Sequence, residues 1–265
     1  MRQYDPSVMK IHYALLVSML SLMSLEGCIK EDRSSCPCRF LLDFSDVDTS
    51  VVWYADISMT SADGFDYSDE LDASGFEGYM VTVPRTNLNV CAWAGAGYCL
   101  NKDMSVTIPY GEECPRLYLY VSDLNADCEM LEEKIVFRKN HCVLTIRLEN
   151  WEGYPFGLTV RGKIDGYGRD LKPSVGRFAC RVTPDSSGNC VVVLPRQLDS
   201  SLVLDVDDGT GSVRSFAIGE HITAGGYDWN AADLDDVTLV MDYSLTDMTI
   251  EIMEWDSEQI YDIVI

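Results

Sequence analysis

Ten cysteines and three histidines are the side chains best suited to nucleophilic or metal chemistry in this chain. The cysteines stand at positions 28, 36, 38, 91, 99, 114, 128, 142, 180 and 190. No two share a Cys-x-x-Cys spacing, and Cys36-Pro-Cys38 has no second ligand pair nearby, so no metal site is predicted. His141 adjoins Cys142, but neighbours along a strand point to opposite faces, which disfavours a local Cys–His dyad. His221 follows Glu220 near a turn and reads as a surface or packing residue. Nucleophile elbows, zinc-protease helices and phosphate loops are absent from the sequence. Asp205-Val-Asp-Asp-Gly209 has the outline of a calcium loop. Its glycine falls one position early and Phe216 stands where the bidentate acid belongs, so it reads as a tight turn. A carboxylate pair of the glycosidase kind is decided in three dimensions and stays open. The expectation is a non-enzyme: no catalytic residue, no cofactor and no metal.

Most of the cysteines read instead as small buried hydrophobes, with Cys142 and Cys190 inside apolar strand patterns. Cys91 and Cys99 flank a glycine-rich turn and are the first pair to test for a bridge, although connectivity is not written in a sequence.

Cys28 stands apart. It follows one basic residue, Lys10, and an apolar run from Tyr13 to Leu25, which has the length of a secretory h-region and is too short to span a bilayer. Leu25-Glu26-Gly27-Cys28 resembles a lipoprotein cleavage box, with a small residue before the cut and a thiol to take diacylglycerol. Two or three acyl chains on that residue give stable anchoring where one does not. Residues 1–27 are therefore read as a signal peptide, with Met9 a second candidate start, and 28–38 as a lipidated tether. The alternative is an ordinary secretory peptide with an incidental cysteine. Glu26 departs from the usual small residue. Lys30-Glu31-Asp32 after the cysteine resembles the export signal of surface lipoproteins in Bacteroidetes; it also serves as a polar spacer.

The elements that must position these residues are strands. Period-two alternation runs through Arg39–Phe44, Val51–Met59, Glu77–Val83, Thr86–Ala94, Ser105–Ile108 and Leu117–Val121. A second series begins near residue 134 and takes in Cys142–Glu149, Leu158–Ile164, Phe178–Val182, Cys190–Leu194, Ser201–Val206, Val213–Ile218, Val237–Met241 and Met248–Met253. No useful length carries a helical stripe, and no internal repeat is evident. The pattern predicts an all-β protein of two tandem sandwiches, 39–132 and 133–265, with the junction in the polar stretch Asp123–Glu133. With 47% apolar residues, both cores can be filled. A net charge of −23 repels phosphate backbones and argues against nucleic acid as a partner.

Three stretches are similar to the FimB-like fimbrial anchor proteins of Bacteroidetes, relatives of the type V pilins. They are Cys28-Ile-Lys-Glu-Asp-Arg-Ser-Ser-Cys36-Pro37, then Asn87–Ala94 (NLNVCAWA), then Gly226-Tyr-Asp-Trp229 with Leu234-Asp-Asp-Val237 and Glu254-Trp255. Cys38 and the cysteine surplus depart from that pattern. The resemblance implies two transthyretin-like β-sandwich domains, lipid attachment to the outer membrane at the cell surface, binding to fimbrial shaft subunits and control of fimbrial length. Pilins of this type join by strand addition. The terminal segment Gln259, Ile260, Tyr261, Asp262, Ile263, Val264 and Ile265 is the candidate subunit contact, or else it closes its own sheet. The competing function is a surface lipoprotein that binds glycans or nutrients, with Trp53, Trp93, Trp151, Trp229 and Trp255 as candidate stacking platforms, although most of them lie in strand patterns and read as core.

Overall fold

Alternating apolar residues become strands nearly wherever the sequence carries them. The structure, a computed structural model, describes residues 36–149, 157–207, 212–242, 247–253 and 263–264. Cys28, Trp151 and Trp255 lie outside the described residues. In chain order the first strands are β1 (Cys38–Asp43), β2 (Tyr54–Ser61), β3 (Asp66–Asp72), β4 (Met80–Val83), β5 (Asn87–Ala94) and β6 (Val106–Thr107). Next come β7 (Tyr118–Asn125), β8 (Met130–Lys134), β9 (Arg138–Lys139), β10 (His141–Glu149), β11 (Gly157–Tyr167) and β12 (Pro173–Val182). The last are β13 (Asn189–Pro195), β14 (Val203–Asp207), β15 (Val213–Phe216), β16 (Asp236–Asp242), β17 (Asp247–Met253) and β18 (Ile263–Val264).

They form four sheets, ordered β4-β1-β8, β3-β2-β5-β7-β9, β12-β11-β14-β15 and β13-β10-β16-β17-β18. The first two sheets share one hydrophobic cluster, built on Phe40, Leu42, Ile57, Met59, Leu88 and Val90. The other two share a second, built on Leu144, Ile146, Val160, Val192, Leu204 and Leu239. Side-chain alternation in β1 and β10 follows from this: one face meets the cluster, the other meets water or the chain's own loops.

The two sandwiches trace the same path although the sequence shows no repeat. In each, the opening strand lies inside its sheet, antiparallel to one neighbour and parallel to a strand formed much later: β4 and β8 around β1, β13 and β16 around β10. The facing orders, β3-β2-β5-β7 and β12-β11-β14-β15, also correspond. Alternation fixes which residues point inward but not which residues they are, so one topology recurs on unrelated side chains.

The acid-rich stretch expected to hold the junction is built into strands, its start extending β7 and its end forming β8 beside β1. β3, with the sequence DYSDELD, escaped the sequence reading because acids dilute its pattern. It is an edge strand, where charge is useful against unwanted pairing. The expected strand Val213–Ile218 ends instead at Phe216, and α1 (Ile218–Ala224) follows. Ile218 and Ile222, one turn apart, bury the inner side of α1, and Gly219 N–H donates to the Leu202 carbonyl at 3.0 Å. A Cβ at position 219 would collide with the Ser200 carbonyl, so glycine is required for this close approach.

Two features lock the sandwiches together. The chain between β5 and β7 leaves the first sandwich, and β6 pairs with β11 at Gly166 and Tyr167. The Glu113 carboxylate then accepts the Val193 N–H at 2.6 Å. This excursion places Val106, Ile108, Cys114 and Leu117 in the second cluster. It also explains NLNVCAWA: Leu88, Val90, Ala92 and Ala94 face the first cluster, while Cys91 and Trp93 face the second. Trp93 donates to the Met104 carbonyl at 3.0 Å and packs its ring on Tyr167.

The second feature is a buried polar seam. β9 pairs with β7 in the first sandwich, and only Asn140 separates it from β10 in the second. Lys139, 1% exposed, donates from Nζ to Asp236 at 2.5 Å. Arg196 donates to Asn140 Oδ1 at 2.8 Å, and Tyr167 donates to the Asn140 carbonyl at 2.8 Å. His141 donates from Nδ1 to the Leu117 carbonyl at 2.9 Å and meets the Tyr118 ring edge-on. Each buried charge and amide here has a partner, as burial demands.

Burial pushes the His141 imidazole from 6.5 down to about 4, against the opposing pull of its Leu117 hydrogen bond. The unfolded chain therefore takes up a proton at a higher pH than the folded one. Stability is expected to fall as pH drops from about 6.5 to about 4, by about 3 kcal/mol from this residue alone. Urea midpoints at pH 7 and pH 4.5, compared with His141→Gln, check this: the variant should show a shallower drop.

Candidate functional site

The residues singled out for chemistry are dispersed by the fold. His141 and Cys142 are both buried, but the imidazole is held by Leu117 while the thiol faces the second cluster. Burial pushes the Cys91 and Cys142 thiols up to about 12 and Cys190 up to about 11, which leaves these groups as unreactive thiols. Cys91 and Cys99 are both buried in the second cluster, and no bond joins them in this structure. His221 sits in α1 and its carbonyl accepts the Gly225 N–H at 2.9 Å. Asp205 lies in β14, where its carboxylate receives Arg161 Nη2 at 2.8 Å and Ser215 Oγ at 2.6 Å. Arg161 holds that carboxyl below its ordinary range. Among the described residues no group of three or more His, Cys, Asp or Glu is placed to hold a metal ion.

What the fold does present is backbone. In the second sandwich β16 is covered by β17, and β18 adds outside it, pairing Thr249 with Val264 and Ile250 with Ile263. The predicted contact segment therefore contributes Ile263 and Val264 to its own sheet; Gln259, Ile260, Tyr261, Asp262 and Ile265 lie outside the described residues. The corresponding strand of the first sandwich, β8, ends its sheet with no such cover among the described residues. The opposite sheet guards its β3 edge with an inward-facing acid: Asp69 accepts hydrogen bonds from Tyr79 at 2.7 Å and Tyr67 at 3.0 Å. The Tyr79 hydroxyl, first among these causes, keeps that carboxyl ionised below the usual range.

A second surface is a groove of about 1060 Å³ between β2–β3 and the excursion after β5. Trp53, 69% exposed, stands on it with Tyr54, their ring centroids 5.9 Å apart. Asp56 and Glu70, opposite one another across β2 and β3, supply carboxylates, and Asn101 and Lys102 supply donors. Burial, aided by the Glu70 charge, raises the Asp56 carboxyl. An exposed indole flanked by acceptors and donors suits a polyhydroxylated ligand. Of the other tryptophans described, Trp93 and Trp229 are core residues. The Gly226-Tyr-Asp-Trp229 stretch serves that core: Tyr227 and Trp229 pack at 4.6 Å, and Tyr227 donates to the Asp235 carbonyl at 2.8 Å.

No family model matches this sequence, and no curated protein does. Solved structures do. A Bacteroides thetaiotaomicron protein provisionally described as polysaccharide-binding superposes with a TM-score of 0.64 at 13% identity, over 85% of this chain and 98% of its own. A provisional adhesin from Bacteroides ovatus gives 0.56 at 12% identity, over 89% and 97%. The fimbrial anchor protein Mfa2 from Porphyromonas gingivalis gives 0.50 at 13% identity, over 83% and 98%. The all-β, sandwich-like fold expected from the sequence is thus found, and a fimbrial anchor shares it.

Because Trp53 is mostly exposed, Trp53→Ala is expected to leave the melting temperature unchanged. It should weaken retention of any oligosaccharide the wild-type protein holds by about tenfold, equivalent to about 1.4 kcal/mol. Glycan-array binding beside thermal melting checks both, and undiminished binding would exclude the groove.

Proposed function

We propose that this protein is a lipid-held anchor that attaches a fimbria to the outer membrane and limits its length. The Cys28 thiol takes diacylglycerol, cleavage after Gly27 frees its amino group for acylation, and residues 28–38 tether two tandem domains, 39–132 and 133–265, at the cell surface. Acyl chains insert into lipid without catalysis by the body, and main-chain pairing at a sheet edge joins subunits without a substrate pocket. The observation that carries the reading is the fold shared with a fimbrial anchor across nearly the whole described body. It is supported by the uneven edges among the described residues, with extra terminal strands on the second sandwich and β8 uncovered on the first. In this reading the segment 259–265, or the edge exposed when it moves, meets the first shaft subunit. The pairing of β18 with β17 is the competing arrangement, in which the segment only closes its own sheet.

A second reading has one observation in its favour, the exposed Trp53 in its acid-lined groove. In it the same body binds surface glycans, a role that a neighbour's provisional description also suggests.

Capture from solubilised envelopes separates the two. The anchor reading expects the full chain to bring down a pilin-like subunit, and expects the variant lacking residues 259–265 to lose it while keeping its β-sheet circular dichroism. Unchanged capture by a folded deletion variant would remove the terminal segment from the contact; retention of oligosaccharide with no pilin would favour the glycan reading.

A further inference from the structure

The body begins with a cysteine, and that cysteine faces another. Cys38 opens β1 and is fully buried; its Sγ lies 3.8 Å from Sγ of Cys128, ninety residues on, in the connection between β7 and β8. The backbones are already joined here: Arg39 N–H donates to the Glu129 carbonyl at 3.0 Å, and Arg39 stands opposite Met130 in the parallel β1–β8 pairing. We propose that Cys38 and Cys128 are oxidised to a disulfide in the exported protein, stapling the entry point of the N-terminal segment to the far edge of the first sandwich.

Three observations beyond the distance bear on this. The two thiols differ in access, Cys38 sealed in the first cluster and Cys128 half-buried at its rim, so an oxidant reaches one of them from outside. Arg85, just past the end of β4, is near enough for its charge to act on Cys38, and its Nε and one Nη are buried without a partner. Burial and the neighbouring Cys128 raise the Cys38 thiol, and the Arg85 guanidinium offsets part of that rise, toward the thiolate that attacks a disulfide. Finally, the parallel pairing of β1 and β8 begins at Arg39 and Met130, just past the two cysteines, and the sulfurs, near van der Waals contact at 3.8 Å, must close by about 1.8 Å to reach bonding distance.

The chemistry balances with a disulfide-bearing oxidant, such as a protein thiol oxidase of the envelope. The Cys128 thiolate attacks the oxidant's disulfide and forms a mixed disulfide, releasing one oxidant thiol. The Cys38 thiolate then attacks Cys128 Sγ and releases the second. Two electrons and two protons pass from the cysteine pair to the oxidant, which leaves as a dithiol. The ring so closed contains nearly all of the first sandwich, and long loops gain most from closure. Cys36, exposed two residues earlier, is the competing partner for Cys128.

The test is peptide mapping of the full-length protein purified from envelopes under thiol-blocking conditions. A parallel sample of the purified chain is equilibrated with oxidised and reduced glutathione. Trypsin leaves Cys36 and Cys38 in one hexapeptide, 34–39, so Cys36→Ser serves as the control. The expected result is peptide 34–39 linked to peptide 117–134, preserved in Cys36→Ser and lost in Cys38→Ser and Cys128→Ser. Reduction should lower the melting temperature of the wild type by about 10 °C and leave that of Cys38→Ser unmoved. Fully alkylated Cys38 and Cys128 in both samples, or a link that disappears in Cys36→Ser, overturns the proposal. A link formed in glutathione but absent from the envelope protein also overturns it. None of these outcomes depends on whether the protein binds a fimbria.

Discussion

The structure depends on one arrangement of hydrogen bonds: the strand that opens each sandwich is an inner strand of its sheet, paired on both sides. A central strand has its main-chain donors and acceptors satisfied in both directions, and no later strand has to be displaced to admit it. For β1 this has a mechanical meaning: a pull on the chain at Cys38 enters the body at the centre of a sheet rather than at a peelable edge. The parallel partner β8 is drawn from near the end of the first sandwich, so strands from both ends of that unit are held side by side.

The same rule, applied to β10, β13 and β16, produces the second sandwich. The link between the two is short and polar, with Asn140 alone between β9 and β10 and Lys139 buried against Asp236. The excursion through β6 binds the units a second time, and Trp93 sits where it departs. A joint made in this way resists bending, since movement would strip hydrogen bonds from buried charges. The acidic surface then adds solubility, and the sealed thiols of the second core act as small hydrophobes.

Much of this was legible in the chain. Strands with apolar alternation, such as Cys142–Glu149 and Leu117–Val121, were readable because the sheet period is two and half of each strand is buried. β3 and β8 were not readable, because edge strands in an acidic protein carry charge where inner strands carry valine or leucine. The helix after β15 was hidden because only Ile218 and Ile222 mark it. The repeated topology was also invisible: order within a sheet is set by which edges meet, and no residue type encodes that. The tryptophans separated only in three dimensions, Trp53 outside and Trp93 inside, although both stand among aromatic and small residues. The proximity of Cys38 to Cys128 required the parallel register of β1 and β8, which joins positions ninety residues apart.

The anchor reading rests on a covalent attachment at one residue, and the attachment has a visible consequence. Electron microscopy of cells and of their culture medium, comparing wild type with Cys28→Ala, tests it most directly. If acyl chains on Cys28 hold the fimbrial base, the variant is expected to release assembled fimbriae into the medium and leave the cells bare. Fimbriae that remain on the cells at wild-type number, with the variant protein still in the membrane fraction, would contradict the account.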